Sequence, residues 1–240
     1  MCGRFTLKVP VSEWLSSLFP GVDIAARFGW TTDTNSPRYN IAPTQNILTL
    51  HYDSTGVLRI NPMRWGLIPF WADSTKSAYS MFNARSETLH EKASFKSLIS
   101  AHRCVILADG YYEWKAATPK NKEPFWIHRP GEEPFGMAGL WTTNRKVEPG
   151  KEVASTTIIT IPSNDDTREV HDRMPAILRS EHEIVDWLTN NSLTTEDRIA
   201  KITKPLESGS LLLRSVSKEV NSVRFDDATL IEPIAKPRFG

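Results

Sequence analysis

The sequence predicts an α+β fold whose core is an antiparallel β barrel or sandwich. Runs of β-branched and aromatic residues recur at short spacing, turn-forming residues separate them, and helical patterns are few. Strand and helix patterns do not alternate regularly, which disfavours a doubly wound parallel sheet. The 240 residues, of which 40% are hydrophobic, suffice for one sizeable core.

The elements of the N-terminal half begin with a short helix. Residues 11–19 place apolar side chains at helical spacing between two proline-containing breaks. Residues 20–46 are rich in turn formers and predict an ordered but irregular loop. A hairpin follows, with strands at 47–52 and 57–68. Residues 86–102 predict a second helix, which begins at a serine followed by glutamates.

The C-terminal half is a run of strands followed by a helix and a last strand. Strand patterns lie at 104–110, 111–115, 124–129, 135–141 and 153–161. A helix is predicted at 180–190 and a strand at 211–216. We expect residues 1–233 to form one domain and residues 234–240 to be a loose C-terminal tail.

Composition disfavours several classes of protein. The 29 basic and 28 acidic residues leave a net charge of +1, so any site for a polyanion must be a local patch. No apolar run approaches the length of about 18 residues that a membrane helix needs, and no secretory signal is expected. Cys2 and Cys104 belong to no ligand cluster. We expect a cytoplasmic monomer, associated with the nucleoid in a bacterium, without cofactor, metal or membrane contact.

Cys2 is the first residue that could carry chemistry. Methionine aminopeptidases remove an initiator methionine before a small side chain, so the mature chain is expected to start with a free thiol and a free α-amine. The ordinary pKa of this amine is about 7.7–8.0, so a useful fraction is neutral at physiological pH. Such a terminus either cleaves amides as an N-terminal nucleophile or traps an aldehyde as a thiazolidine. Alternatively, Cys2 is only a small buried residue.

Four further side chains stand in patterns that suit catalysis or anion binding. Asn83 and Arg85 share a face of an extended segment and suit a phosphate or sugar oxygen, or only a loop. Glu113 lies among aromatic residues at the end of an apolar strand, where its pKa can rise towards neutrality; a surface ion pair is the alternative. His171 lies in a dense polar loop and is either a proton carrier or structural.

The segment 65–71 is apolar and aromatic, and glycine and proline interrupt it. It therefore cannot be an ordinary strand throughout. One interpretation is a loop that caps the core. The other is a stacking platform for nucleic-acid bases, formed by Trp65, Phe70 and Trp71.

Taken together, six sequence blocks resemble the SOS response-associated peptidase (SRAP) family, the abasic-site processing proteins. In order, the blocks are residues 1–5, 38–43, 64–69, 83–88, 109–114 and 171–175. The resemblance implies a single α+β domain with a barrel-like antiparallel β core, flanking helices and a positively charged groove for single-stranded DNA. It also implies a peptidase activity that removes whatever precedes the cysteine, which here is Met1.

The resemblance assigns a role to each candidate residue. It implies that Cys2 forms a thiazolidine with the ring-opened aldehyde of an abasic deoxyribose, which shields the lesion during the DNA damage response. It identifies Asn83, Glu113 and His171 as the other active-site residues, and Arg4 and Arg85 as phosphate contacts. Pro43 and Trp114 lie in the matching blocks, and we expect them at the DNA together with the three residues of the aromatic segment.

Two other functions stay open on the sequence alone. Class II glutamine amidotransferases and other N-terminal nucleophile hydrolases also begin Met-Cys-Gly, although no ammonia-accepting synthase domain is recognisable here. A noncatalytic module that binds single strands would use the aromatic residues and the arginines and leave Cys2 idle. Replacement of Cys2 by alanine distinguishes the three functions. An abasic-site lyase activity is possible in the first of them.

Overall fold

The computed structural model describes residues 2–28, 36–53, 55–118, 121–189, 192–204 and 206–234. Within these ranges the strands are β1 (Phe5–Leu7), β2 (Arg38–Ile41), β3 (Asn46–Tyr52), β4 (Leu58–Trp65), β5 (Asn83–Arg85), β6 (Arg103–Ala108), β7 (Gly110–Thr118), β8 (Asn121–His128), β9 (Phe135–Asn144), β10 (Val153–Pro162), β11 (Arg173–Pro175), β12 (Ile177–Leu178) and β13 (Leu212–Ser215). The α-helices are α1 (Val11–Leu18), α2 (Ile24–Phe28), α3 (Ala93–Lys96), α4 (Leu98–Ala101), α5 (Glu181–Thr189) and α6 (Thr195–Ile202).

Strands β3, β4, β10, β9 and β6 close into a barrel. Each pairs with the next in that order, and β6 pairs with β3 to complete the ring. All six positions of β6 are buried: Arg103 and the continuous apolar run at residues 104–108. The predicted α+β class with a barrel-like β core is confirmed. The core is not purely antiparallel, because β10 runs parallel to β4 and β5.

A second, antiparallel sheet carries the start of the chain. Its strand order is β13-β8-β7-β1-β2, so β1 lies between two neighbours. The buried carboxylate of Asp109 fixes the end of β1: it accepts hydrogen bonds from the Thr6 hydroxyl at 2.5 Å and from the backbone N–H groups of Lys8 and Val9 at 2.5 and 3.0 Å. The residues just before β1 are held beside β7 by the pairing of the two strands and by a hydrogen bond from the Tyr112 N–H to the Arg4 carbonyl oxygen at 2.9 Å.

Most of the predicted elements are confirmed. The helix at 11–19 is α1, the helix at 180–190 is α5 apart from its undescribed last residue, and the late strand is β13. The strand patterns correspond to β3, β4 and β6 to β10. Helix α6 was not predicted, although its start carries a signal, since the Thr194 hydroxyl accepts from the Asp197 N–H as an N-cap.

Two predictions are wrong. Residues 86–102 do not form one helix; a 3-10 turn at Ser86–Thr88 and the short helices α3 and α4 take its place. The reason is tertiary, because the Glu87 side chain pairs with Arg173 across the fold. The irregular loop at 20–46 contains α2 and β2, and β2 forms because β1 offers it an edge. Residues 29–35 of that loop lie outside the described residues.

The described helices include none that is long and apolar enough to cross a membrane. The predicted C-terminal tail falls largely outside the described residues, which end at position 234. Its looseness stays a prediction, as does the domain boundary at residue 233.

Candidate active site at the start of the chain

Cys2 is fully buried beside β5. The Asn83 Nδ2 group donates a hydrogen bond to the Cys2 carbonyl oxygen at 2.7 Å, and parallel pairing of β5 with β10 holds Asn83 in place opposite Ile158. The Asn83 Oδ1 atom is buried and has no hydrogen-bond partner among the described residues. This oxygen is therefore available to a donor that enters the site, such as a thiol or a sugar hydroxyl.

Glu113 lies next to Cys2 because of the strand register. Phe5 pairs with Tyr111 in antiparallel fashion, and continuing this register by two residues places Gly3 opposite Glu113. The Glu113 side chain is 3% exposed, and burial raises its pKa to about 7. The predicted rise in pKa is confirmed. Burial, assisted by the charge of Glu113, raises the pKa of the Cys2 thiol as well, so that the thiol stays protonated.

His171 faces Glu113 from a loop before β11. Its Nε2 atom is 3.9 Å from Glu113 Oε2, and its Nδ1 atom accepts a hydrogen bond from the Arg173 backbone N–H at 3.0 Å. Burial lowers the pKa of His171, so the ring is neutral at physiological pH. In the tautomer in which Nδ1 accepts this hydrogen bond, the neutral ring carries its proton on Nε2, towards Glu113.

Arg4 and Trp114 meet at Asn221, a residue with no role in the sequence-based predictions. The Arg4 guanidinium donates to the carbonyl oxygens of Gly3 and Asn221, at 3.2 and 3.4 Å. The Trp114 indole N–H donates to Asn221 Oδ1 at 2.8 Å. None of the described carboxylates forms an ion pair with Arg4, so its positive charge is left for an anion.

Arg85 and Pro43 lie apart from this cluster. The Arg85 side chain is exposed on β5, two residues from Asn83, and makes no hydrogen bond or ion pair within the described part of the chain. A free guanidinium beside the site suits a phosphate. Pro43 is half-buried between β2 and β3, and no described contact joins it to the catalytic candidates.

Phe70 and Trp71 form an exposed aromatic pair on the loop after β4. They are 62% and 51% exposed. The buried Asn144 amide holds the loop from below, donating to the carbonyl oxygens of Pro69 and Ala72 at 2.7 and 2.9 Å. Two large apolar side chains on a fixed loop make a rigid surface on which bases could stack.

Trp65 does not belong to that surface, and its predicted contact with DNA is wrong. The side chain is 0% exposed, and its indole N–H donates to the Phe82 carbonyl oxygen at 2.8 Å. Its ring packs edge-on against Phe5 at 5.1 Å and Phe82 at 6.1 Å. As the last residue of β4, Trp65 points into the core, and within the segment 65–71 only Phe70 and Trp71 face solvent.

The assembled groups suit proton transfer and nucleophilic attack. A protonated thiol, a carboxyl with a pKa near neutrality and a neutral imidazole surround the first residues of the chain. Across the described ranges, no cluster of three or more His, Cys, Asp or Glu residues could hold a metal ion. Sequence reasoning missed the supporting residues Asp109, Asn144 and Arg173. Two of them lie within the recognised blocks, but their partners are distant in sequence.

Comparisons with known proteins place this site in context. The model of the SOS response associated peptidase (SRAP) family matches residues 1–223. The abasic site processing protein YoqW of Bacillus subtilis (strain 168) is 39% identical over 232 residues, which is 97% of this chain and 99% of that protein. The abasic site processing protein HMCES of Xenopus tropicalis is 34% identical over 221 residues, covering 80% of this chain and 65% of that protein. A crystal structure from Bacteroides thetaiotaomicron superposes with a TM-score of 0.79 and 26% identity, over 98% of this chain and 100% of that one.

Proposed function

This chain belongs to the SRAP family, and we propose that it processes abasic sites in DNA by attaching its own N-terminus to them. The proposal depends on one observation: Cys2, Glu113 and His171 lie close together. The Asn83 amide also donates a hydrogen bond to the Cys2 carbonyl oxygen. These groups supply a nucleophile and two proton carriers at one point. We further propose that the substrate is single-stranded, that the protein acts as a cytoplasmic monomer, and that residues 1–233 form its one domain.

The reaction begins when Met1 is removed. In the proposed self-processing, Glu113 accepts the proton of the Cys2 thiol as the sulfur attacks the Met1 carbonyl carbon. The amide nitrogen takes up that proton and leaves as the Cys2 amine, and water hydrolyses the resulting thioester. Methionine and a 1,2-aminothiol are the products.

The amine then reacts with the lesion. His171 and Glu113 move the protons that open the closed sugar to its C1′ aldehyde. Glu113, with a pKa of about 7, accepts a proton from the α-ammonium group, whose ordinary pKa is about 7.7–8.0. The neutral amine adds to C1′, and loss of water gives an imine. Attack by the amine comes first because the buried thiol is protonated.

Ring closure completes the attachment. The Cys2 sulfur adds to the imine carbon, and the thiol proton ends on the nitrogen, so a five-membered thiazolidine forms without further loss of atoms. The Asn83 Oδ1 atom, buried and without a partner among the described residues, is placed to accept from the thiol or from a sugar hydroxyl. Because the reactants are held together, the ring closes with a large effective molarity.

Two kinds of contact hold the DNA in this proposal: arginines on the phosphates and aromatic side chains on the bases. Arg4 and Arg85 carry charges that no described carboxylate neutralises, and they bind the phosphates that flank the lesion. Phe70 and Trp71 stack on neighbouring bases. Trp114, which shares Asn221 with Arg4, and Pro43, which lies apart from the catalytic residues, are further proposed contacts with the DNA. In a single strand no base pair has to be broken, and the missing base leaves room for the terminus.

The decisive experiment mixes the protein, untagged at its N-terminus, with a single-stranded oligonucleotide that carries one abasic site. Denaturing gels and intact mass spectrometry should show a heat-stable adduct, lighter by one water than the sum of its two components. Cys2→Ala should abolish it. Cys104→Ala is the matched control, because this second buried cysteine lies in the barrel wall and should leave the yield unchanged.

Failure has a defined meaning. If protein that has lost Met1 forms no adduct, covalent capture is refuted, and release of ammonia from glutamine becomes the next assay, for the amidotransferase alternative. Binding of the strand that survives Cys2→Ala with no covalent product from the parent protein would instead indicate a noncatalytic binding module.

Self-processing is tested separately. The protein is synthesised in the presence of a methionine aminopeptidase inhibitor, and its intact mass is followed over time. The parent chain and Cys104→Ala should lose Met1, whereas Cys2→Ala should retain it. Retention of Met1 by all three would show that the chain does not process itself.

A further inference from the structure

Two residues beyond His171, the Arg173 side chain forms an ion pair with Glu87 that contacts none of the reacting groups. The Arg173 guanidinium donates to both carboxylate oxygens of Glu87, at 2.5 and 2.9 Å, and to the Thr160 carbonyl oxygen at 2.5 Å. Hydrogen bonding to Arg173 lowers the pKa of Glu87 to about 2, so the pair is fully charged at working pH. Such a two-pronged contact fixes the guanidinium in both position and angle.

The same pair fixes the backbone at Arg173. This residue begins β11 and is paired with Pro162 of β10. Its side chain is only 11% exposed and runs back across β10 to Thr160 and Glu87. The backbone N–H that reaches His171 therefore belongs to a residue held at both its main chain and its side chain.

Two neighbours compete for the Nδ1 atom of His171. The Arg173 N–H, at 3.0 Å, requires a lone pair there. The exposed Asp172 carboxylate, 2.9 Å from the same atom, would attract a proton to it. These demands exclude each other in a neutral ring, so the stronger partner decides whether the proton sits on Nδ1 or on Nε2, the nitrogen that faces Glu113.

We propose that the Glu87–Arg173 ion pair is a positioning device that keeps the imidazole proton of His171 on Nε2. It does so by holding the Arg173 N–H against Nδ1. The inference rests on the proposed function, because Nε2 is the atom directed towards Glu113 and the lesion. Without the pair, the Arg173 backbone relaxes, Asp172 draws the proton to Nδ1, and Nε2 can no longer donate.

The other charges around His171 stay in place when Glu87 is replaced. Among the described residues they are Glu113 on β7, Lys122 on β8 and the neighbouring Asp172. A change in the state of His171 on substitution at Glu87 is therefore traceable to the ion pair. Glu169→Gln is a matched control: it removes the same charge two residues from His171, but the Glu169 side chain is 81% exposed and pairs with Lys115.

The direct test is ¹⁵N NMR of the histidine side chains in the full chain without DNA, with the His171 signals assigned from His171→Gln. The parent protein and Glu169→Gln should show an unprotonated Nδ1 and a protonated Nε2. Glu87→Gln should shift proton occupancy towards Nδ1. An unchanged pattern in Glu87→Gln would overturn the proposal. The measurement needs no crosslinking, so it decides the inference even if covalent capture fails.

The kinetic test separates positioning from DNA binding. Under single-turnover conditions with saturating abasic oligonucleotide, Glu87→Gln should react about ten- to a hundredfold more slowly, the scale of loss for a misplaced reacting group. Its affinity for an undamaged strand should be equal or higher, because a negative charge has gone. Arg173→Lys cannot form the two-pronged pair, and the double variant should be no slower than the slower single variant. Unchanged rates in a folded Glu87→Gln protein, checked by circular dichroism, would refute positioning.

Discussion

Replacing Glu113 by glutamine should stabilise the protein and disable it at the same time. The carboxyl is buried, and water that would solvate its charge is excluded, which is why its pKa is raised. An acid with a raised folded-state pKa binds its proton more tightly when folded than when unfolded. The folded state is therefore penalised as pH rises through the interval between the ordinary value of 4.5 and about 7.

The size of the penalty follows from that interval. Above pH 7, where Glu113 is ionised in both states, the difference between 4.5 and about 7 corresponds to about 3 kcal/mol of folding free energy. At pH 5 the folded carboxyl is protonated, and only about 1 kcal/mol of the penalty remains. Glutamine has no charge to desolvate and removes the penalty at both pH values.

Thermal unfolding at pH 8 and pH 5 measures both figures. For a chain of this length, about 3 kcal/mol corresponds to a rise in Tm of about 6–12 °C at pH 8, and the gain should fall to about a third at pH 5. Glu123→Gln is the control, because that glutamate is exposed on the neighbouring β8 and its loss should change stability by less than about 0.5 kcal/mol.

Activity should move in the opposite direction. The crosslinking rate of the parent protein should rise about tenfold per pH unit below pH 7 and then level off, and Glu113→Gln should react at least about a hundredfold more slowly at pH 7.5. A variant that is less stable at pH 8, or whose Tm gain is the same at both pH values, would refute the desolvation argument. A rate unaffected by the substitution would remove Glu113 from the mechanism.

Three further predictions concern the terminus and the DNA contacts. Cys2→Ser keeps the amine but closes the ring poorly, so borohydride should trap an imine, and some strands should be cleaved by β-elimination; no trapped adduct would contradict attack by the amine. Arg85→Ala should leave Tm unchanged and make the log–log salt dependence of single-strand binding shallower by about 0.7, the value for one lost phosphate contact; an unchanged slope would place Arg85 off the DNA. Trp65→Ala should cost about 3–5 kcal/mol of unfolding free energy, whereas Trp71→Ala should cost under about 0.5 kcal/mol and weaken strand binding by about 1–3 kcal/mol. Reversed effects at these two tryptophans would overturn the assignment of core and surface.

The sequence predicted best where the signal is local. The apolar run of β6 and the amphipathic helix α1 each depend on neighbours along the chain. The raised pKa of Glu113 instead comes from burial of its carboxyl in the folded chain. Trp65 and Trp71 are the same residue type six positions apart, so the residue type does not distinguish their environments. Trp65 ends β4 with its side chain in the core, whereas Trp71 is exposed on the loop that follows.

Side-chain contacts between residues far apart in the chain could not be predicted from the sequence. Glu87 and Arg173 are 86 positions apart, and nothing near Glu87 indicates that it leaves a helical pattern to reach β11. The same holds for Asn144, whose amide holds a loop 72 to 75 positions earlier. Such contacts are set by strand order, and strand order is a property of the folded chain.

The placement of β1 has a mechanical consequence. In the proposed adduct the DNA is joined to a residue only three positions before a strand that is bonded along both edges, to β2 and to β7, and is locked at its far end by Asp109. A pull on the DNA directed along β1 would load these bonds together, as in shear, and not one after another, as in unzipping. Removal of the attached protein by such a pull would therefore require that the pairing of β1 with both β2 and β7 be broken.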